Sequence, residues 1–182
     1  FGSLQGVMSE HICTLFFVAG GYLLFCRQHW DLFLASGLLF GLSIMSKLNM
    51  AYPVFVVGLF LLWEGFKQRK MATTIINLVL MVLGTFLIVL LTALPYYLEG
   101  NTQIWWQSIF KAPMAYSEGK FHSPLKTMPF LVVILGLLAV GFKTNVIDYK
   151  SRGLQLLTTI TLGILLSFMQ AGKVNGHYLI QL

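Results

Sequence analysis

Long apolar blocks separated by short polar clusters dominate the pattern of this sequence. Most blocks are close to or longer than the ~18–20 residues that cross a hydrocarbon core about 30 Å thick. Because a backbone in lipid has to satisfy its own hydrogen bonds, the pattern predicts transmembrane α-helices. The blocks cover residues 7–26, 32–63, 73–96, 128–142 and 154–169, and a further one opens at His177.

The block at residues 32–63 is too long for a single span. One straight helix would be about 48 Å long, and it would hold Lys47 in mid-membrane at a cost of roughly 2.5–3.5 kcal/mol. Pro53 suits the first turn of a new helix. We therefore predict a hairpin of two short helices with its apex at residues 46–49. The expected fold is an all-α polytopic bundle, a single transmembrane domain over residues 1–182 with about six full spans and the start of a seventh.

The basic residues predict the orientation of this bundle. With the hairpin in place, Arg27 lies on the same side as the clusters at 67–70 and 143–152, and short basic loops favour the cytoplasm. The start of the first block, the Lys47 apex, the loop at 97–126 and the stretch at 171–181 then share the other side. Within that loop, residues 102–111 predict a short amphipathic helix along the membrane surface, with Trp105, Trp106, Ile109 and Phe110 on one face.

Composition excludes a water-soluble globule. The chain has 182 residues, of which 57% are hydrophobic and 10% charged, whereas soluble domains carry about 25% charged residues. The net charge of +6 lies in short clusters between apolar blocks, so it predicts membrane topology and no nucleic-acid partner.

Cys13 and Cys26 would lie about 20 Å apart on one helix, too far for a disulfide. The first residue is Phe1 and an apolar stretch opens at the end, so we expect an internal part of a longer protein.

Three groups of polar residues are candidates for a site on the non-cytoplasmic side. Glu10 and His11 begin the first block, where they either line a site or cap the helix. Lys47, with Asn49 beside it, either binds an anionic group at the headgroup level or extends from the apex to water. The third group leads into the last apolar stretch and either binds a polar substrate or is an ordinary loop; it contains Lys173, His177 and Tyr178.

Three polar residues of the loop at 97–126 are weaker candidates for a site. Glu99, Glu118 and His122 fit solvated loop charges better than acids or bases. The sequence contains no metal-ligand spacing, phosphate-binding glycine loop or nucleophile elbow. No metal site and no cofactor are therefore indicated, although a divalent metal stays open.

Residues 37–47, GLLFGLSIMSK, resemble a glycine-containing helix ending in Thr/Ser-Lys in polyprenyl-phosphate-dependent membrane glycosyltransferases of the GT-C fold. These include the protein O-mannosyltransferase-like and aminoarabinose-transferase-like families. The Ser9-Glu10-His11 sequence resembles the start of the preceding helix there. Residues 94–101 with Trp105, Trp106 and Tyr116 resemble the loop after the following long helix, and residues 172–182 resemble the beginning of a later one.

The resemblance implies a hexosyl or pentosyl transferase of the cell envelope, an integral protein of the bacterial inner membrane with its active face periplasmic or exterior. Its partners would be membrane lipids, a polyprenyl-phosphate sugar donor and a glycan, lipid or protein acceptor. The catalytic carboxylate of such families lies in the first external loop, so the catalytic residues are unknown here and are expected upstream of Phe1. Lys47 and Lys173 would then serve the donor phosphate, and His177, Tyr178 and Gln181 the cavity wall.

Two other functions fit the same features. A transporter or flippase of a lipid-linked sugar would use a similar basic, aromatic cavity without a catalytic carboxylate. A noncatalytic membrane subunit would use these residues only for assembly.

Overall fold

A computed structural model describes residues 2–26, 29–112, 128–144 and 150–170. Every secondary-structure element in those ranges is a helix, as the apolar blocks predict. The predicted number of membrane crossings stays a prediction. In chain order the elements are α1 (Gly2–Cys26), α2 (Trp30–Ser46), a 3-10 turn (Leu48–Met50), α3 (Ala51–Lys67), α4 (Met71–Leu98), α5 (Thr102–Trp106), a π-helical turn (Gln107–Lys111), α6 (Met128–Lys143) and α7 (Arg152–Gln170).

The predicted break at the Lys47 apex is confirmed. Lys47 is extended, with φ −157° and ψ 109°, so α2 ends at Ser46. Its N–H donates to the Ser43 carbonyl over 3.0 Å, and its own carbonyl accepts from the Met50 N–H over 2.9 Å. Pro53 lies in the first turn of α3 and is buried, where a missing N–H costs no helical hydrogen bond.

Two serine hydroxyls fasten α2 to α1 in antiparallel register. The Ser43 Oγ donates to the Cys13 carbonyl over 2.7 Å, and the Ser36 Oγ donates to the Gly20 carbonyl over 2.8 Å. Both serines are completely buried, as is Cys13. Cys13 is therefore a small core residue, as predicted, while the Cys26 side chain lies outside the described part.

Glycines bring α2 and α4 into backbone contact. A Cβ added at Gly84 would lie 2.5 Å from the Leu34 carbonyl oxygen, and one added at Gly37 would collide with the Met81 carbonyl. At this contact the Thr85 Oγ1 donates across to the Gly37 carbonyl over 3.0 Å. One turn later in α2, a Cβ added at Gly41 would lie 2.8 Å from the Ile88 Cβ, one turn later in α4. Contacts therefore advance along both helices in the same direction, so α2 and α4 run parallel.

α3 runs opposite to both of its main neighbours. Gly65 near its end meets Thr74 near the start of α4, and Gly163 of α7 lies so close to Pro53 that an added Cβ would be 2.7 Å from the Pro53 Cα. At the other end of the α3–α7 pair, the Arg152 Nε and Nη2 donate to the two Glu64 carboxylate oxygens over 2.6 and 2.9 Å. Since α2 is parallel to α4, it is antiparallel to α3, and the predicted hairpin is confirmed.

These directions divide the bundle into two ends. The basic end holds the end of α1, the α3–α4 turn and the start of α7. The apex end holds the start of α1, Lys47, the end of α4 and the end of α7. The predicted grouping of the described helix ends is thus confirmed, while the assignment of the basic end to the cytoplasm stays a prediction.

Two helical stretches are long and apolar enough to cross a bilayer, by length and composition: Leu48–Lys67 and Met71–Leu98. Shorter apolar stretches are His11–Leu24, Trp30–Ser46 and Arg152–Leu165. The core helix of a soluble protein would be mostly buried, yet only 11% of the apolar window of α4 is buried. α4 instead exposes large apolar side chains such as Val82, Phe86 and Leu90, which is typical of a helix that faces lipid.

Two local predictions need correction. α4 continues through Pro95 to Leu98, although residues 97 and 98 were expected in a loop; near a helix end Pro95 removes a single hydrogen bond and its fixed φ remains helical. The expected amphipathic helix at 102–111 is a five-residue α-helix followed by a π-helical turn. The two tryptophans do not share a face, because adjacent residues of a helix point about 100° apart. Trp105 is buried and Trp106 is 50% exposed, with the Phe110 ring against both.

A Gly37→Ala variant should separate α2 from α4, because the new methyl group would overlap the Met81 carbonyl. We expect a loss of about 1–3 kcal/mol in the free energy of unfolding, measured by reversible SDS titration in mixed micelles. Gly21→Ala is the matched control, since an added Cβ there meets nothing within 4 Å. Equal stability of the two variants would contradict the close approach.

Candidate functional site

The apex of the hairpin presents the best-described candidates, Lys47 and Asn49. Both are half-buried and lie in the short connection between α2 and α3. Lys47 is extended, and Asn49 lies within the 3-10 turn that follows it. The extended residue gives the Lys47 side chain a direction that a continuous helix would not allow. An ammonium group is thereby held at a helix boundary, where it can meet an anion at the membrane surface.

The start of α1 reaches the same level. The Ser43–Cys13 and Ser36–Gly20 hydrogen bonds fix the register of the two antiparallel helices. Extending that register places residues 9, 10 and 11 beside residues 47, 46 and 45. His11 is exposed. The backbone of Glu10 is part of α1, while its side chain lies outside the described part.

The end of α7 reaches this level as well. Contacts of Gly163 with Pro53 and of Arg152 with Glu64 set the α3–α7 register, and the same register places Gln170 level with Lys47. α7 also packs against the 3-10 turn. Four candidates follow in the sequence just after Gln170 but lie outside the described residues: Lys173, His177, Tyr178 and Gln181.

Aromatic residues from α4 and α5 border the apex end. By the α2–α4 register, α4 extends beyond Lys47 by about 9 Å, and it ends with Tyr96 and Tyr97 exposed. α5 packs back against α4. The Trp105 Nε1 is buried and has no hydrogen-bond partner among the described atoms. Glu99 is exposed at the end of α4, in keeping with a solvated charge, and Glu118 and His122 lie outside the described part.

This arrangement favours binding of an anion over acid–base chemistry. Lys47 supplies a cation and Asn49 an amide, while His11 lies one helix away. Among the described residues no three or more His, Cys, Asp or Glu side chains form a group able to hold a metal ion. The Lys47 ammonium and the Asn49 amide are groups that can bind a phosphate or a polar headgroup.

Sequence reasoning missed the polar contacts inside the bundle. Glu64 is the acid that pairs with Arg152, and beside it lies a cavity of about 40 Å³ between the start of α2, the end of α3 and the start of α4. Glu64 at the end of an apolar block could have indicated a partly buried ion pair. Its partner Arg152 could not be identified, because it is 88 positions away. Ser36 and Ser43 were visible as small residues seven apart, one face of a helix, yet nothing local identified α1 as their acceptor.

Comparison of the chain with protein-family models, with curated proteins and with solved structures found no match.

Cross-linking can test whether the start of α1 and the hairpin apex are neighbours. In a background with Cys13 and Cys26 replaced by Ala, we expect the pair His11→Cys and Lys47→Cys to be joined rapidly by a short bifunctional thiol reagent, because the register places them at one level. The control pair His11→Cys and Gln68→Cys, at opposite ends, should not react. Equal reactivity of both pairs, read from peptide mass spectra, would contradict the site geometry.

Proposed function

We propose that this chain is part of a GT-C-type membrane glycosyltransferase that moves a sugar from a polyprenyl-phosphate donor to a glycan, lipid or protein. The enzyme is an integral protein of the bacterial inner membrane, with about six spans and the start of a seventh in this stretch. Its basic end faces the cytoplasm, and its apex end faces the periplasm or exterior. The donor arrives within the bilayer, and the acceptor approaches at the apex end.

The observation that carries this proposal is the convergence of separate candidates at the apex end. Residues 37–47, which resemble the GT-C helix, form most of α2. Within them Ser43 donates to α1, and Gly37 and Gly41 lie against α4. Their last residue, Lys47, marks the break. The backbone of residues 10 and 11 and the end of α7 lie at the same level, although these segments are far apart in sequence. Such grouping supports a shared binding role for the three segments.

The proposed role of this part is to bind the donor. Lys47 accompanies the phosphate, and its charge stabilises the phosphate as the bond to the sugar breaks. Asn49 adds an amide, and Lys173, His177, Tyr178 and Gln181 complete the wall of the cavity. The carboxylate that deprotonates the acceptor hydroxyl comes from a preceding part of the longer protein, so the residues of this chain bind and orient rather than act as the base.

The test is a transfer assay on the full-length protein in vesicles with radiolabelled polyprenyl-phosphate sugars. Lys47→Ala should raise the KM for the donor by roughly tenfold, the loss of ~1.4 kcal/mol of charge-assisted contact. Lys143→Ala, which removes the same charge from an exposed site at the end of α6, should leave both kcat and KM unchanged.

Two outcomes would overturn the proposal. Translocation of the lipid-linked sugar without transfer from any donor would identify a transporter. Unaltered transfer by Lys47→Ala, together with disturbed assembly of the protein, would assign the apex a role in packing against a partner.

A further inference from the structure

A second cavity lies on the outer side of the bundle, at its basic end. It is an open groove of about 490 Å³ between the second half of α3 and the first half of α7. Its apolar walls include Val56, Leu59, Phe60 and Trp63 from α3 and Leu154 from α7. Leu59 and Trp63 are each 48% exposed, so the groove opens to whatever surrounds the helices.

The polar groups in this groove favour an apolar occupant. The Thr158 hydroxyl donates to the Leu154 carbonyl over 2.9 Å, and the Thr159 hydroxyl donates to the Gln155 carbonyl over 2.7 Å. Since these donors are used within α7, the two threonines offer their methyl groups to the groove, and Gln155 is the remaining polar side chain that lines it. From Val56 to Trp63 the groove runs about 10 Å along the helix, which matches a substantial part of an acyl chain.

The mouth of the groove carries positive charge. The Lys67 Nζ lies 5.2 Å from the centre of the Trp63 ring, so the ammonium is held at the end of the apolar wall. Glu64, one turn before Lys67 in α3, accepts hydrogen bonds from Arg152 at both carboxylate oxygens, which compensates its charge. Arg69 and Lys70 are exposed in the turn that follows. An anionic group at this point would therefore meet cations and an interfacial tryptophan.

We infer that this groove binds one acyl chain of an anionic phospholipid, with the lipid phosphate against Lys67. Charge complementarity at the mouth and the apolar walls behind it fit this ligand better than a zwitterionic lipid. The site is at the end of the bundle opposite the proposed sugar chemistry. The inference requires that the bundle lie in a bilayer, but it is independent of whether the protein transfers a sugar.

Native mass spectrometry of the full-length protein can test this site. The protein in mild detergent is titrated with phosphatidylglycerol or with phosphatidylcholine of the same acyl chains. We expect one phosphatidylglycerol to bind before others and more tightly than phosphatidylcholine. Lys67→Ala should weaken that first binding roughly fivefold, whereas Lys143→Ala should not affect it, because Lys143 is a cation of α6 outside the groove.

A second variant tests the groove itself. Leu59→Trp keeps every charge and fills the apolar wall, so it should abolish the first binding of phosphatidylglycerol. Equal affinity for the two lipids, or binding that neither Lys67→Ala nor Leu59→Trp alters, would overturn the inference. A lipid-free dimer that Leu59→Trp dissociates would also overturn it, by assigning the groove to a second copy of the chain. The number of bound lipids is measured without any sugar donor, so its result does not depend on whether the protein transfers a sugar.

Discussion

Hydrogen bonds from hydroxyl groups of one helix to carbonyls of the next are the interactions on which the described bundle depends. Ser36 and Ser43 bind α2 to α1, and Thr85 binds α4 to α2. In lipid, apolar side chains gain little by touching each other instead of acyl chains, so close packing and such hydrogen bonds determine which helices associate. The close approach at Gly37 and Gly84 makes the Thr85 contact possible.

The register that these bonds set determines what meets at each end. Because two hydrogen bonds fix α1 against α2, residues 9–11 of α1 lie at the level of Lys47. Because Glu64 and Arg152 fix α3 against α7, the end of α7 arrives at the same apex. The same ion pair compensates the Glu64 charge beside the groove between α3 and α7. Breaking it would leave a partly buried charge, as both side chains are less than half exposed.

The sequence predicts which segments form helices better than it predicts which helices pack together. Apolar blocks predicted every long helix in the described residues, and Lys47 with Pro53 predicted the break in the longest block. Which helices touch depends on contacts between residues tens of positions apart, such as Ser43 with Cys13, and no local pattern records them. α4 continues beyond its predicted end because Pro95 removes only one hydrogen bond from an otherwise regular helix. Of the candidate site, the sequence could predict that Lys47 and His11 share one end of the bundle. It could not predict the Glu64–Arg152 ion pair at the other end, because its partners are far apart in sequence.

Exposed apolar surface on α4 is the central physical claim, since both the proposed function and the lipid groove require a bilayer around the helices. Spin labels placed one at a time along residues 79–90 of the reconstituted protein measure it directly, through collision with oxygen and with a water-soluble nickel reagent. The account predicts high oxygen and low nickel accessibility at Val82, Phe86 and Leu90, and low values of both at the buried Met81 and Gly84. High nickel accessibility at Val82 and Phe86 would contradict it.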